Sequence, residues 1–148
     1  NDVERTADIP LPGTPADDPV AYAADRGRRL KPAGVPTATV ERLCWLYGRQ
    51  LDTLLALGEA DPTWLAPLGP GLPAVRGEAR LAVEAEMANT LIDFMDRRAA
   101  LLLFSPDFGL AGAAEAACSA GAGGSRRFFL SAASCTTNIG HLMVVSTL

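Results

Sequence analysis

The sequence predicts an all-α domain: an irregular bundle of four or five short helices, with a proline-rich N-terminal arm and an irregular C-terminal tail. Three observations lead there. Between Thr37 and Phe104, apolar residues recur at the i, i+3, i+4, i+7 spacing of one helix face. Glycines and Asp-Pro or Ser-Pro pairs punctuate these runs where helices stop and start. The last periodic run, before Cys118, is rich in alanine, the best helix former.

Residues 1–36 hold six of the eleven prolines, a density that breaks regular structure and favours an extended connector. One short helix fits within it. Asp17 or Asp18 can cap, Pro19 suits the first turn, and Arg26, Arg28 and Arg29 meet the negative end of the helix dipole near Leu30. Residues 37–118 form the helical domain proper. Thr37 or Thr39 can cap a helix bearing Val40, Leu43, Cys44 and Tyr47, ended by Gly48. Leu51, Leu54 and Leu55 mark a second helix, with Gly58 as its expected stop. Asp61-Pro62 opens a short turn through Trp64 and Leu65, and Pro67, Gly69, Pro70, Gly71 and Pro73 enforce a loop.

The next helix, about Ala74 to Glu86, turns Val75, Ala79 and Ala82 to one face at ~100° per residue. Glu86 falls in the middle of that face and Glu78 on its edge. After a break near Met87–Asn89, Thr90 and Asp93 resemble a capping box for a helix that buries Leu91, Phe94 and Met95, with Arg98 on the same side. A lone charge on an apolar stripe is costly to bury and needs a partner. Glu86 and Arg98 therefore either pair with each other or meet a neighbouring domain; an acid/base role would need pocket chemistry that does not accompany them. Asp93 and Arg97, at i and i+4, read as an exposed helix-stabilising pair. A third helix should start at Ser105 and run to about Cys118.

Residues 119–148 complete the chain: a Gly/Ala/Ser-rich linker over 119–125, then Arg126 to Leu130, then a β-prone apolar end from Ile139. The segment Ala133 to Asn138, around Cys135, is similar to the catalytic-cysteine segment of glyceraldehyde-3-phosphate dehydrogenases. No dinucleotide-binding half accompanies it, and His141 is too close in sequence to serve as the activating histidine.

Composition narrows the function. At 148 residues the chain suffices for one core. A net charge of −4 removes the electrostatic case for nucleic acid or an anionic membrane surface. No stretch approaches the ~20 apolar residues of a membrane span. Cys44, Cys118 and Cys135 form no CxxC pair and there is one histidine, so neither a zinc site nor a triad is indicated, and reduced cysteines in a cytoplasmic-type protein are expected. No phosphate-binding GxGxxG or GxxxxGK[ST] occurs.

The ordered series Thr39-Val40-Glu41-Arg42-Leu43, Leu46-Tyr47-Gly48, Pro67-Leu68, Pro70-Gly71-Leu72-Pro73, Arg76-Gly77-Glu78, Ala82-Val83, Glu86-Met87-Ala88, Thr90-Leu91, Asp93 and Arg97-Arg98 resembles one family. It is similar to the C-terminal helical domain of FAD-dependent glycerol-3-phosphate dehydrogenases, the alpha-glycerophosphate oxidase family. Ile9-Pro10-Leu11-Pro12-Gly13 is similar to the connector that leads into that domain from the flavin-binding part. Two positions depart from the family: Ala85 where it commonly has His, and Ala99 where it commonly has Thr. Beyond about residue 117 the similarity stops, as a shifted reading frame would make it do.

The resemblance implies a parent that oxidises sn-glycerol 3-phosphate to dihydroxyacetone phosphate, with electrons passing through FAD to a quinone, or to oxygen in oxidase relatives. It implies an accessory domain that binds no cofactor itself and is inactive alone. Its partner would be the FAD-binding domain of the same enzyme, with a homodimer of the parent as a further expectation. The location would be cytoplasmic, with the parent peripheral on the inner membrane face. No catalytic position is carried over. Arg76, Glu78, Glu86, Thr90, Asp93, Arg97 and Arg98 are carried over as residues that hold the helices together or dock them on the flavin domain. The contrasting expectation is an independent helical interaction module.

Overall fold

A computed structural model describes residues 8–11, 13–15, 18–105 and 107–121. It contains six α-helices and no strand among these residues: α1 (Pro19–Leu30), α2 (Thr37–Tyr47), α3 (Leu51–Ala60), α4 (Arg76–Glu84), α5 (Leu101–Phe104) and α6 (Leu110–Gly121). The all-α class is as the sequence predicts. The residues after Gly121, including the Cys135 segment and the apolar end, lie outside the described residues.

The Asp18 carboxylate caps α1 by accepting hydrogen bonds from Val20 N and Ala21 N, with Pro19 in the first turn and Arg28 and Arg29 in the last. This helix is part of the bundle. Arg26 pairs with Asp52 of α3 at 2.6 Å and lies over the Tyr22 ring at 4.4 Å, while the Tyr22 hydroxyl donates to the Gly48 carbonyl at 3.1 Å. Pro36 occupies the N-cap position of α2 with no side-chain cap bond, so neither Thr37 nor Thr39 caps it. Gly48 ends α2 with φ at +48°, a left-handed turn that glycine adopts most readily.

Gly58 is not a stop. Helix α3 runs on to Ala60, because the residue that cannot remain helical is Asp61, held extended ahead of Pro62. Asp61 then caps the following 3₁₀ turn, Pro62–Leu65, through Thr63 N. Ser105 does not start the last helix either. Phe108 and Gly109 both have positive φ, and Asp107 supplies the cap by accepting from Gly109 N and Ala111 N, so α6 begins at Leu110. Ser119 and Ala120, read as linker, are buried residues of that helix.

Helix α4 is the centre of the fold because it faces two cores. Ala79 and Ala82 pack with Phe94, Met95, Leu101 and the small residues Ala113, Ala116 and Ala120 of α6. Val75 and Leu81 pack with Leu30, Leu43, Tyr47, Leu51 and Leu54 from α1, α2 and α3. Between α4 and α5 the chain forms a π-helical turn, Asp93–Arg98, closed by Ala99 N donating to the Phe94 carbonyl. The wider turn lets the adjacent Phe94 and Met95 both be fully buried.

Candidate functional site

The most enclosed charge is Glu78. It occupies the third position of α4, where its Oε1 reaches back to accept from Val75 N at 2.7 Å, the glutamate half of a capping box. The same carboxylate accepts from Arg42 Nη1 at 3.0 and 2.8 Å and from the Tyr47 hydroxyl at 3.0 Å. Its exposure is 0%. Arg42 also donates from Nη2 to the Ala99 carbonyl at 3.1 Å and from Nη1 to the Pro73 carbonyl at 3.5 Å. One guanidinium thus ties α2, the loop before α4, α4 itself and the end of the π turn.

Burial pushes the Glu78 pKa up, opposed first by the Arg42 charge. The Tyr47 phenol is pushed well up by its own burial, then by the negative charge of Glu78 and Glu86. A carboxylate sealed from solvent, with both oxygens taken by protein donors, has no route to a substrate. Its arrangement is that of a junction.

The remaining sequence-selected residues form three separate groups. Asp93 N donates to Thr90 Oγ1 at 3.1 Å while Thr90 N donates to Asp93 Oδ2 at 3.0 Å, a reciprocal cap in which Asp replaces the usual Glu. Arg97 Nη1 reaches Asp93 Oδ1 at 2.7 Å. The hydrogen bonds from Thr90 hold the Asp93 carboxyl below its usual range, although its own partial desolvation opposes them.

Arg98 donates from Nη2 to the Glu86 main-chain carbonyl at 2.7 Å, and its Nε lies 3.9 Å from Glu86 Oε2. That oxygen is buried and makes no hydrogen bond among the described residues. Desolvation raises the Glu86 pKa, with Arg98 opposing. Arg76 Nε sits 3.1 Å from Glu115 Oε1 of α6; it makes no directed hydrogen bond, so the contact is one of charge.

Sequence reasoning ranked the two glutamates in the wrong order. Glu86 lies past the end of α4 and keeps 17% of its side chain exposed, whereas Glu78, assigned to an edge, is buried outright. It also missed Arg42 and Tyr47 as the partners of Glu78. No local spacing links them, since they lie 36 and 31 residues away.

Two open clefts flank these groups. One, of about 540 Å³, lies between the Pro67–Gly71 loop and α6, and its two charges, Arg76 and Glu115, face each other. The other, of about 500 Å³, is lined by Leu11, Tyr22, Trp45, Leu46 and neighbours of the N-terminal arm. No group of three or more His, Cys, Asp or Glu side chains among the described residues could hold a metal ion.

Residues 4–122 match the family described as the C-terminal domain of alpha-glycerophosphate oxidase. The chain belongs to that family. A curated relative named glycerol-3-phosphate dehydrogenase, from Synechocystis sp., is 35% identical over 71 residues. The aligned part is 48% of this chain and only 13% of that relative. No solved structure matches the chain.

The family match spans every described helix of this alpha-glycerophosphate oxidase C-terminal domain, α1 and its lead-in arm included. The two departures in sequence differ in setting. Ala85 is exposed, whereas Ala99 is 5% exposed, belongs to the same core cluster as Phe94 and Met95, and gives its main-chain carbonyl to Arg42. No helix among the described residues is long and apolar enough to cross a membrane.

Proposed function

We propose that the chain serves as the C-terminal accessory domain of an FAD-dependent glycerol-3-phosphate dehydrogenase and packs against the flavin-bearing part rather than performing chemistry. The family match over residues 4–122 carries this reading. The parent would oxidise sn-glycerol 3-phosphate to dihydroxyacetone phosphate and deliver the electrons to a quinone. FAD, held by the rest of the parent, would supply the redox chemistry.

The residues described here do not fit the flavin. A dinucleotide is cradled by a glycine-rich turn between a strand and a helix, and these residues include no strand. In this reading Glu78 with Arg42, Thr90 with Asp93 and Arg97, Glu86 with Arg98, and Arg76 with Glu115 keep the bundle rigid enough to dock as one body. The parent would act in the cytoplasm, peripheral on the inner membrane face, and a homodimer would be formed by the parent as a whole.

The test is to produce the flavin-bearing part of the parent and mix it with this chain. Glycerol 3-phosphate oxidation that rises on addition of the chain, together with co-migration in size-exclusion chromatography, is the expected result. Neither association nor any effect on turnover would overturn the reading and leave an independent helical interaction module.

A further inference from the structure

The geometry points to the apolar cleft lined by Leu11, Trp45 and Leu46 as the surface that seats on the preceding, flavin-bearing part of the parent polypeptide. This rests on the accessory-domain reading and goes further by naming the surface.

Scattered exposed apolar residues need no explanation, but a contiguous group does. Leu11 and Trp45 are 77% and 75% exposed, and with the half-exposed Leu46 they line one cleft. Val20, also exposed, follows the lining residue Pro19 at the start of α1. An indole left three-quarters in water at the cleft mouth is the kind of anchor that interfaces bury.

The position of the chain outside the structure identifies the occupant. This is a C-terminal domain, and the aligned part is 13% of the relative, so the bulk of such a parent precedes the arm. The arm is fixed where it meets the cleft. Thr14 N donates to the Leu11 carbonyl, and Arg49 N, just past α2, donates to the Gly13 carbonyl, each at 3.0 Å. A flavin-bearing part that precedes the arm is joined covalently to the segment that borders this cleft, which raises its effective concentration there.

A second set of exposed apolar residues, Met87, Leu103 and Phe104, stands on other elements and does not line this cleft. It serves as the control.

The test compares the full-length parent with the 148-residue chain alone by hydroxyl-radical labelling read by mass spectrometry. Trp64, half-buried and stacked under Arg80, is the internal reference. Loss of labelling at Trp45 and Leu11 in the parent, with Met87 and Phe104 unchanged, is expected. Trp45 labelled equally in both, in a parent that oxidises glycerol 3-phosphate, would overturn the surface assignment and leave the accessory-domain reading intact. Protection of Trp45 in the chain alone that vanishes on dilution would also overturn it, because the occupant would be a second copy.

A Trp45→Ser variant gives an independent readout. The isolated chain should melt as before, since the indole packs little within it, whereas the parent should lose stability or activity. An unchanged parent would count against the proposal.

Discussion

Arg42 and Glu78 lie 36 residues apart and meet at 2.8 Å, with the carboxylate wholly out of solvent. Such a pair contributes asymmetrically. Forming it requires both charges to be desolvated, so its net worth is modest. Removing one partner strands the other, which costs about 3–5 kcal/mol for a buried pair. Arg42→Met should therefore destabilise the chain by about that amount in urea unfolding. Arg42→Met combined with Glu78→Leu should recover much of the loss, since no charge is then buried alone. A double variant no more stable than Arg42→Met would show that the hydrogen bonds to Val75 N and Tyr47, rather than the ion pair, hold the junction.

Gly69 meets α6 through main chain alone. A Cβ there would stand 2.9 Å from the Ala111 carbonyl oxygen and 3.1 Å from Gly112 Cα. Neither can rotate away as a side-chain tip could. Gly69→Ala should cost about 1–3 kcal/mol, as overpacking does, in spite of the entropy it removes from the unfolded chain. Thermal unfolding measures it, and a Tm equal to or above wild type would mean that the loop yields without strain.

The fold was legible wherever the signal is local. Asp18 before Pro19, Asp61 before Pro62, Thr90 with Asp93, and Gly48 after Tyr47 each act through hydrogen bonds or φ preferences within a few residues, and each does in the structure what its residue type dictates. The errors share one cause. A helical wheel assumes one buried face, but α4 is covered from two sides, so a residue at the edge of one apolar stripe, Glu78, faces the second core. The wheel also assumes that the helix continues. Helix α4 ends at Glu84, and Met87 turns to φ +55°, which removes Glu86 from the face assigned to it. The Arg42 contact depends on tertiary placement and leaves no periodic trace.

The Asp93 cap should show a pH signature. Hydrogen bonds from Thr90 favour the charged form and lower its folded pKa. A lowered carboxyl pKa adds stability that is present above the unfolded value and is lost as pH falls through the folded one. Thr90→Ala should thus lower the Tm by a few degrees at neutral pH and by less in acid. Unfolding midpoints at neutral and acid pH test this; an equal loss at both would assign the effect to packing of the threonine methyl.

Glu86 should behave in the opposite sense. Its carboxyl is raised by desolvation, with Arg98 only 3.9 Å away as the opposing charge and Tyr47 feeling its field. The folded state therefore holds the Glu86 proton more tightly than the unfolded chain does. Stability from this group is complete below the unfolded pKa and declines as pH rises through the folded one. Glu86→Gln removes that titration while keeping the Arg98 bond to the main-chain carbonyl of residue 86. The wild-type stability minus that of Glu86→Gln should consequently fall from acid toward neutral pH and then level off, with the variant at least as stable near neutrality. Chemical denaturation across a pH series provides the curve. A difference that rises with pH instead would mean that the Arg98 charge outweighs the burial, and that the pair stabilises the turn between α4 and the π segment as an ion pair.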